Sequence, residues 1–191
     1  MRKISLYLNM SLDGVISDPD KWMSFSDEIL EESLEAYDQS GAILVGSKTY
    51  PFLAEYWQQA EQSSDSALER SFAKKINDIR KIVISQSPVE LTWKNSEQLT
   101  ITDWASFPQE IEKLRQSDGK TISVESGLKT WQLFLENALF DELRIVIHPV
   151  IVGQGDKLFS EDISTLNLNL VNSKVHKNGV ISLTYQRIEA E

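Results

Sequence analysis

The chain has 191 residues, 41% of them hydrophobic and 25% charged, with a formal net charge of −10. That length suits one domain, residues 1–191, with a sizeable core. The negative charge argues against nucleic-acid or anionic-membrane partners, and the absence of cysteine excludes disulfides and thiolate metal sites. No stretch approaches a membrane span. After Met1-Arg2-Lys3 the apolar run is broken by Ser5 and Asn9 and stops at Asp13, too short for a signal peptide, so a cytoplasmic protein is expected.

Ile4, Leu6, Leu8 and Met10 alternate with polar or amphipathic residues, which predicts a strand, and Ser11-Leu12-Asp13-Gly14 turns the chain into a loop. Ser24 or Ser26 can cap a helix running to about Gln39, with acidic residues in its first turn and Leu30, Leu34 and Tyr37 on its buried face. Residues 41–45 form a short apolar strand, and Gly46-Ser47-Lys48-Thr49-Tyr50 opens the next helix. A further helix over Ala67–Asp78 leads to a strand over residues 81–85, ending in Ser85-Gln86-Ser87-Pro88. A short strand is predicted at residues 98–102, then an amphipathic helix marked by Phe107, Ile111 and Leu114 with Pro108 in its first turn. Thr121–Val124 reads as a strand, Glu125-Ser126-Gly127 as a tight turn, and Leu128, Trp131 and Leu135 as one face of a helix. Residues 143–152 are apolar and β-branched enough for a strand covered on both faces. Residues 169–177 and 180–187 read as a hairpin joined by the two-residue turn Asn178-Gly179. Strands alternating with helices and closing in a hairpin imply a mostly parallel sheet with an antiparallel edge.

Two of these strand ends suit an anion. At Gly46-Ser47-Lys48-Thr49, backbone N–H groups, the Thr49 hydroxyl and the Lys48 ammonium can hold a phosphate. The small-residue turn at Glu125-Ser126-Gly127 leaves the N–H groups at the start of the following helix unpaired. A bland reading of each, a glycine turn with a helix cap, stands beside it. His148 and His176 have no ligand-spaced partners and are read as structural, so no metal site is expected. Trp57, Trp93, Trp104 and Trp131 are read as packing residues, and Trp22 as the one tryptophan beside a pocket.

Several of these segments resemble the dihydrofolate-reductase-like superfamily, closest to the reductase domain of riboflavin biosynthesis (the C-terminal domain of the bacterial bifunctional deaminase-reductase) and its free-standing relatives. They are Asn9-Met10-Ser11-Leu12-Asp13-Gly14-Val15-Ile16, Gly46-Ser47-Lys48-Thr49-Tyr50, Val124-Glu125-Ser126-Gly127, Asp141-Glu142-Leu143, and the run from Pro149 through Gly153-Gln154-Gly155 to Leu158-Phe159. The resemblance implies a three-layer α/β fold and a nicotinamide-dependent reductase acting on a small heterocyclic substrate, a pyrimidine- or pteridine-like ring. The apolar strand and loop around Pro149–Phe159 suit a dimer contact, so a homodimer is expected. The nearest named activity is 5-amino-6-(5-phosphoribosylamino)uracil reductase; the zinc deaminase signature that accompanies it in bifunctional enzymes is absent.

On this resemblance NADPH, with NADH as the other candidate, lies on Gly46, Ser47, Lys48, Thr49, Ser85, Gln86, Ser126, Gly127, Leu128, Lys129 and Thr130. Three positions depart from the family pattern: Ser47 and Gln86 stand where arginine is common, and Ser126 where a second glycine is usual. Ser126 then either turns its hydroxyl to phosphate or marks weak cofactor binding, and Gln86 implies modest discrimination between NADPH and NADH. Asp27, spaced from Trp22 as in dihydrofolate reductases, is the expected proton source, with Asp13 and Glu125 as alternative pocket acids. Asp13, Trp22, Glu125 and Gly153 are expected to border the substrate. Two other readings remain open: a dihydrofolate reductase, and a ligand-binding relative that no longer reduces anything.

Overall fold

A computed structural model describes residues 1–159, 161 and 163–188. Eight strands form one sheet: β1 (Ile4–Ser11), β2 (Ser40–Gly46), β3 (Arg80–Ser85), β4 (Ser96–Thr100), β5 (Thr121–Val124), β6 (Glu142–His148), β7 (Leu168–Val175) and β8 (Ile181–Arg187). Their order across the sheet is β4-β3-β2-β5-β1-β6-β8-β7. The first six are mutually parallel, while β8 pairs antiparallel with β6 and with β7. Five helices accompany them: α1 (Asp27–Asp38), α2 (Tyr50–Ser63), α3 (Ala67–Asp78), α4 (Phe107–Gln116) and α5 (Leu128–Glu136).

Alternation along the central strands sends side chains to two cores, which makes the expected three layers. Ala42 and Leu44 of β2 join Ile122 and Val124 of β5, with Phe107 of α4 and Phe134 of α5, on one face. Ile43 and Val45 point the other way, to Leu30, Tyr50, Phe72 and Ile76 of α1, α2 and α3. The alternation in β1 has a different cause from a half-exposed strand, because β1 is central, flanked by β5 and β6. Its apolar set, Ile4, Leu6 and Leu8, is buried, whereas Tyr7 and Asn9 line a cleft on the opposite face.

Three boundaries differ from the sequence expectation. β6 stops at His148 rather than continuing to Val152, because Pro149 has no N–H to extend the ladder. The chain then runs beside the loop after β1, where Leu12 N–H donates to Val150 O at 2.9 Å. β4 lies two residues earlier than expected, where Lys81 N–H meets Asn95 O at 2.9 Å. In the hairpin, His176 N–H still bonds Val180 O, leaving a three-residue loop, Lys177-Asn178-Gly179, in place of a two-residue turn. Gly179 takes φ 84°, the left-handed conformation such loops reserve for glycine. Among the described residues no helix is long and apolar enough to cross a membrane.

Candidate active site at the carboxyl ends of the strands

Parallel sheets bind ligands beyond the carboxyl ends of their strands. Here the order β3-β2-β5-β1 sets Ser85, Gly46, Glu125 and Ser11 side by side at those ends, although they are far apart in sequence. The turns after β2 and β5 also interlock. A methyl group on Gly46 would lie 2.7 Å from Thr130 Oγ1 and 3.1 Å from Ser126 Oγ, and one on Gly127 would lie 2.9 Å from Thr49 Oγ1. Both glycines are therefore required by packing, each against the other turn's side chains. The Ser126 hydroxyl fixes the pair by accepting from Gly46 N–H at 2.8 Å. Ser126 is buried and clamps β2 to β5. No peptide bond among the described residues is cis.

Beyond this interlock lies a groove of about 730 Å³ lined by Gly46, Ser47, Lys48, Thr49, Ser85, Gln86, Gly127, Leu128, Lys129 and Thr130. Ten of the eleven expected cofactor residues thus share one surface, and Ser126 faces the adjoining cleft. How they could hold an anion differs from the sequence expectation. The N–H groups of Gly46, Ser47 and Thr49 already donate within the protein, to Ser126 Oγ, Ile84 O and Gly46 O. The α5 start adds donors, since no side chain caps that helix and Leu128 and Lys129 N–H have no intrahelical acceptor. With the helix dipole and the ammonium groups of Lys48 and Lys129, that end of the groove suits phosphate. Ser85 Oγ accepts from Ser87 N–H at 3.2 Å and shapes the turn carrying Gln86.

The neighbouring cleft, about 770 Å³, shares Thr49, Gly127, Leu128 and Asp156 with the groove. Its walls are largely aromatic and aliphatic: Phe52, Tyr56 and Trp57 from α2, Phe72 from α3, Trp131 from α5 and Ile29 from α1. Sequence reading missed this set because each residue passes for core packing at helical spacing. The signal that could have found it is α2, where Phe52 is 75% and Tyr56 47% exposed, unusual for large apolar groups unless a ligand covers them. Of the tryptophans read as packing residues, Trp93 is buried in the core as expected, whereas Trp57 and Trp131 line the cleft and Trp104 the groove. Trp22 does not line either. Its indole N–H donates to Ser17 O at 2.8 Å and its ring stands edge-on to His148.

At the cleft floor Glu125 accepts from Tyr37 Oη through Oε2 and from Ser123 Oγ at 2.9 Å through Oε1. Part of the carboxyl faces the cleft while protein encloses the rest, and this burial raises its pKa above the ordinary carboxylate value. Tyr37 is pushed well up, first by burial and then by the Glu125 charge. Tyr7 is raised by burial; since Ser33 Oγ donates to Ile29 O at 2.8 Å, the Tyr7 hydroxyl is the donor in their 3.3 Å contact. Glu125 is therefore a carboxyl at the cleft that burial holds toward its protonated form. Asp27, the expected proton source, is exposed at the first turn of α1 and does not line the cleft, because Ile29, Leu30 and Ser33 take the inward positions.

Asp13 and Gly153 work together, but away from the cleft lining. The Asp13 carboxylate accepts from Ser11 Oγ at 2.7 Å, Val152 N–H at 3.0 Å and Gly153 N–H at 2.8 Å. These hydrogen bonds lower its pKa to about 2. It is a loop clamp. Ile16 N–H to Asp156 O and Leu158 N–H to Gly14 O continue the seam, and a methyl group on Gly155 would lie 2.6 Å from Val15 Cγ1. The seam holds Ser17, Asp18 and Asp156 along the cleft. His148 is structural: Nδ1 accepts from Ser24 N–H, which fixes the neutral tautomer with Nε2–H toward Asn9 Oδ1, and burial lowers its pKa to about 4. Among the described residues no cluster of His, Asp or Glu could hold a metal.

The chain is 29% identical over 195 residues to the uncharacterized protein YyaP of Bacillus subtilis, covering 96% of this chain and 94% of YyaP. Among solved structures it superposes on a Shewanella sp. PV-4 protein ascribed to riboflavin biosynthesis with TM-score 0.71 at 19% identity, covering 98% of this chain and 99% of that one. Dihydrofolate reductase from Enterococcus faecalis gives TM-score 0.62 at 15% identity, over 98% and 97% of the two chains. Such identities speak for the fold alone, which is dihydrofolate-reductase-like. Residues 2–182 match the RibD C-terminal domain, and the chain belongs to that family.

Proposed function

We propose that this protein, one domain over residues 1–191, is a nicotinamide-dependent reductase of a pyrimidine- or pteridine-like substrate, resembling 5-amino-6-(5-phosphoribosylamino)uracil reductase. The observation that carries the reading is the junction of two unlike surfaces. A groove with cationic and helix-terminal donors meets, at Thr49, Gly127 and Leu128, an aromatic cleft holding a carboxyl of raised pKa. Members of the family bind NADPH, and the groove's donor set fits a dinucleotide phosphate. The bound cofactor would supply the hydride. Lys48, Lys129 and the start of α5 hold its phosphates, and Gly46 and Gly127 let the two turns close beneath it. Trp131, Tyr56 and Phe52 enclose the ring and keep water from it. Glu125, with Tyr37 and Ser123 fixing its orientation, gives the proton that completes the reduction.

Gln86 faces the groove where a cation would reward a ribose 2′-phosphate, so preference for NADPH over NADH is modest. The dihydrofolate reductase alternative loses its support with Asp27, which stands outside the cleft. The assembly is read as a homodimer across the β7 edge, where Val175 is 74% exposed in register with Ile181 and Ile147; sedimentation giving a monomer would remove this part. The central test is NADPH consumption over a panel of oxidised pyrimidines and pteridines. Turnover with at least one ring, lost in Glu125→Gln, is expected. A ring that binds without turnover would leave an inactive ligand-binding relative.

A further inference from the structure

The charges around the cleft are one-sided. Its lining includes four carboxylate residues, Asp18, Asp20, Glu125 and Asp156, and among the described lining residues no Lys, Arg or His. Lys21, the cation beside it, is engaged with Asp18 at 2.8 Å and lies outside the lining. Arg144 stands behind the Tyr7 ring, 5.4 Å from its centroid, and lines a different hollow. Asp20 and Asp156 are left at the mouth without a cation in the lining to offset them. The groove differs: its lining holds Lys48 and Lys129 beside two carboxylates, Glu136 and Asp156. Of the two compartments only the groove offers an anion cationic partners.

We propose that the cleft takes an unphosphorylated aromatic ring compound, neutral or cationic, and rejects the phosphoribosyl form of the same ring. This rests on the reductase reading for the identity of the groove's occupant. A phosphate dianion entering the cleft would meet carboxylates at the mouth and find no lysine or arginine in the described lining; the helix starts there, of α2 at Thr49 and of α5 at Gly127, border the groove, where the cofactor phosphates would lie. Stripping a dianion of water without a compensating donor is strongly unfavourable. A flat ring instead stacks against Phe52, Tyr56 and Trp131, and its N–H groups can donate to Glu125. The physiological substrate is then a nucleobase-, lumazine- or pterin-like ring bearing no phosphate. The reaction that supplies it is a dephosphorylation, or a route that never attaches one.

The test uses two matched probe pairs, riboflavin with riboflavin 5′-phosphate and uridine with uridine 5′-phosphate. Each is titrated into the full chain with NADP⁺ present and absent, at low and moderate salt. The unphosphorylated member should bind at least about tenfold more tightly, with the gap narrowing as salt screens the mouth. Asp20→Lys should narrow it as well, read as the ratio of the two affinities within each pair. Equal or tighter binding of the phosphorylated members overturns the proposal, as does failure of all four probes while NADP⁺ still binds. Preference for the uncharged rings with no NADP⁺ binding would instead sink the reductase reading and leave the charge sorting intact.

Discussion

The groove and the cleft lie side by side and were reached by opposite routes. Most of the groove comes from three short runs, 46–49, 84–87 and 127–130, each at a strand end, so much of its chemistry is local in sequence. The cleft also takes in the runs 7–9, 16–20 and 125–128, but its aromatic wall is drawn from separated residues of α2, α3 and α5, and no run of sequence announces that wall. Backbone donors and glycines leave readable signatures because a turn is specified by neighbours. An aromatic wall does not, because a helix uses the same residue types for core and for ligand.

Exchanging the acids should separate the two regions most sharply. Glu125→Gln is expected to lower ring reduction by roughly 100-fold or more with NADPH affinity intact, since general acids contribute about that much. Asp27→Asn, altering an exposed side chain outside the cleft, should turn over normally. Because burial raises the Glu125 pKa, the wild-type rate should fall as pH rises through that value, and the Gln variant should lose this limb. A pH profile unchanged by the substitution would remove Glu125 from proton transfer.

The interlock at the groove comes next. Gly46→Ala sets a methyl group 2.7 Å from Thr130 Oγ1 and should destabilise the fold by about 1–3 kcal/mol, read by denaturant unfolding. Thr130→Ala in the same chain should recover much of that loss, and a double-mutant cycle with no coupling would show the clash relaxes elsewhere. Smaller still is the loop clamp. The Asp13 pKa is depressed from 3.8 to about 2, so its hydrogen bonds stabilise the fold above the ordinary carboxylate value. That stabilisation fades as pH falls toward about 2. The stability gap between wild type and Asp13→Asn should accordingly be largest near neutrality and close in acid. Least of all in stability is Phe52→Ser, within about 0.5 kcal/mol because Phe52 is exposed, yet it should weaken ring binding measurably. A large stability loss there would make Phe52 a packing residue.

How far the sequence could be read follows the same division. The layers, the parallel sheet and the terminal hairpin were legible because periodicity and turn residues act over short range. Boundaries slipped where a single group decided them, as with Pro149 at the end of β6. Within the candidate site, the residues facing the groove and the donors at the start of α5 were legible, whereas only the folded chain shows that Gly46, Ser47 and Thr49 N–H already have acceptors. Asp13, Trp22 and Gly153 are near the cleft in sequence logic and turned away from its lining in space. Their partners, Val152 N–H, Ser17 O and the Asp13 carboxylate, come from tertiary contacts that no spacing rule contains.

The most direct measurement is calorimetric titration of the purified chain with NADPH, beside Lys129→Ala and Lys48→Ala. Expected is saturable micromolar binding that weakens with salt and in both variants, placing the phosphates at the start of α5. Absence of binding at millimolar NADPH, or binding indifferent to both lysines, would contradict the groove as the dinucleotide site.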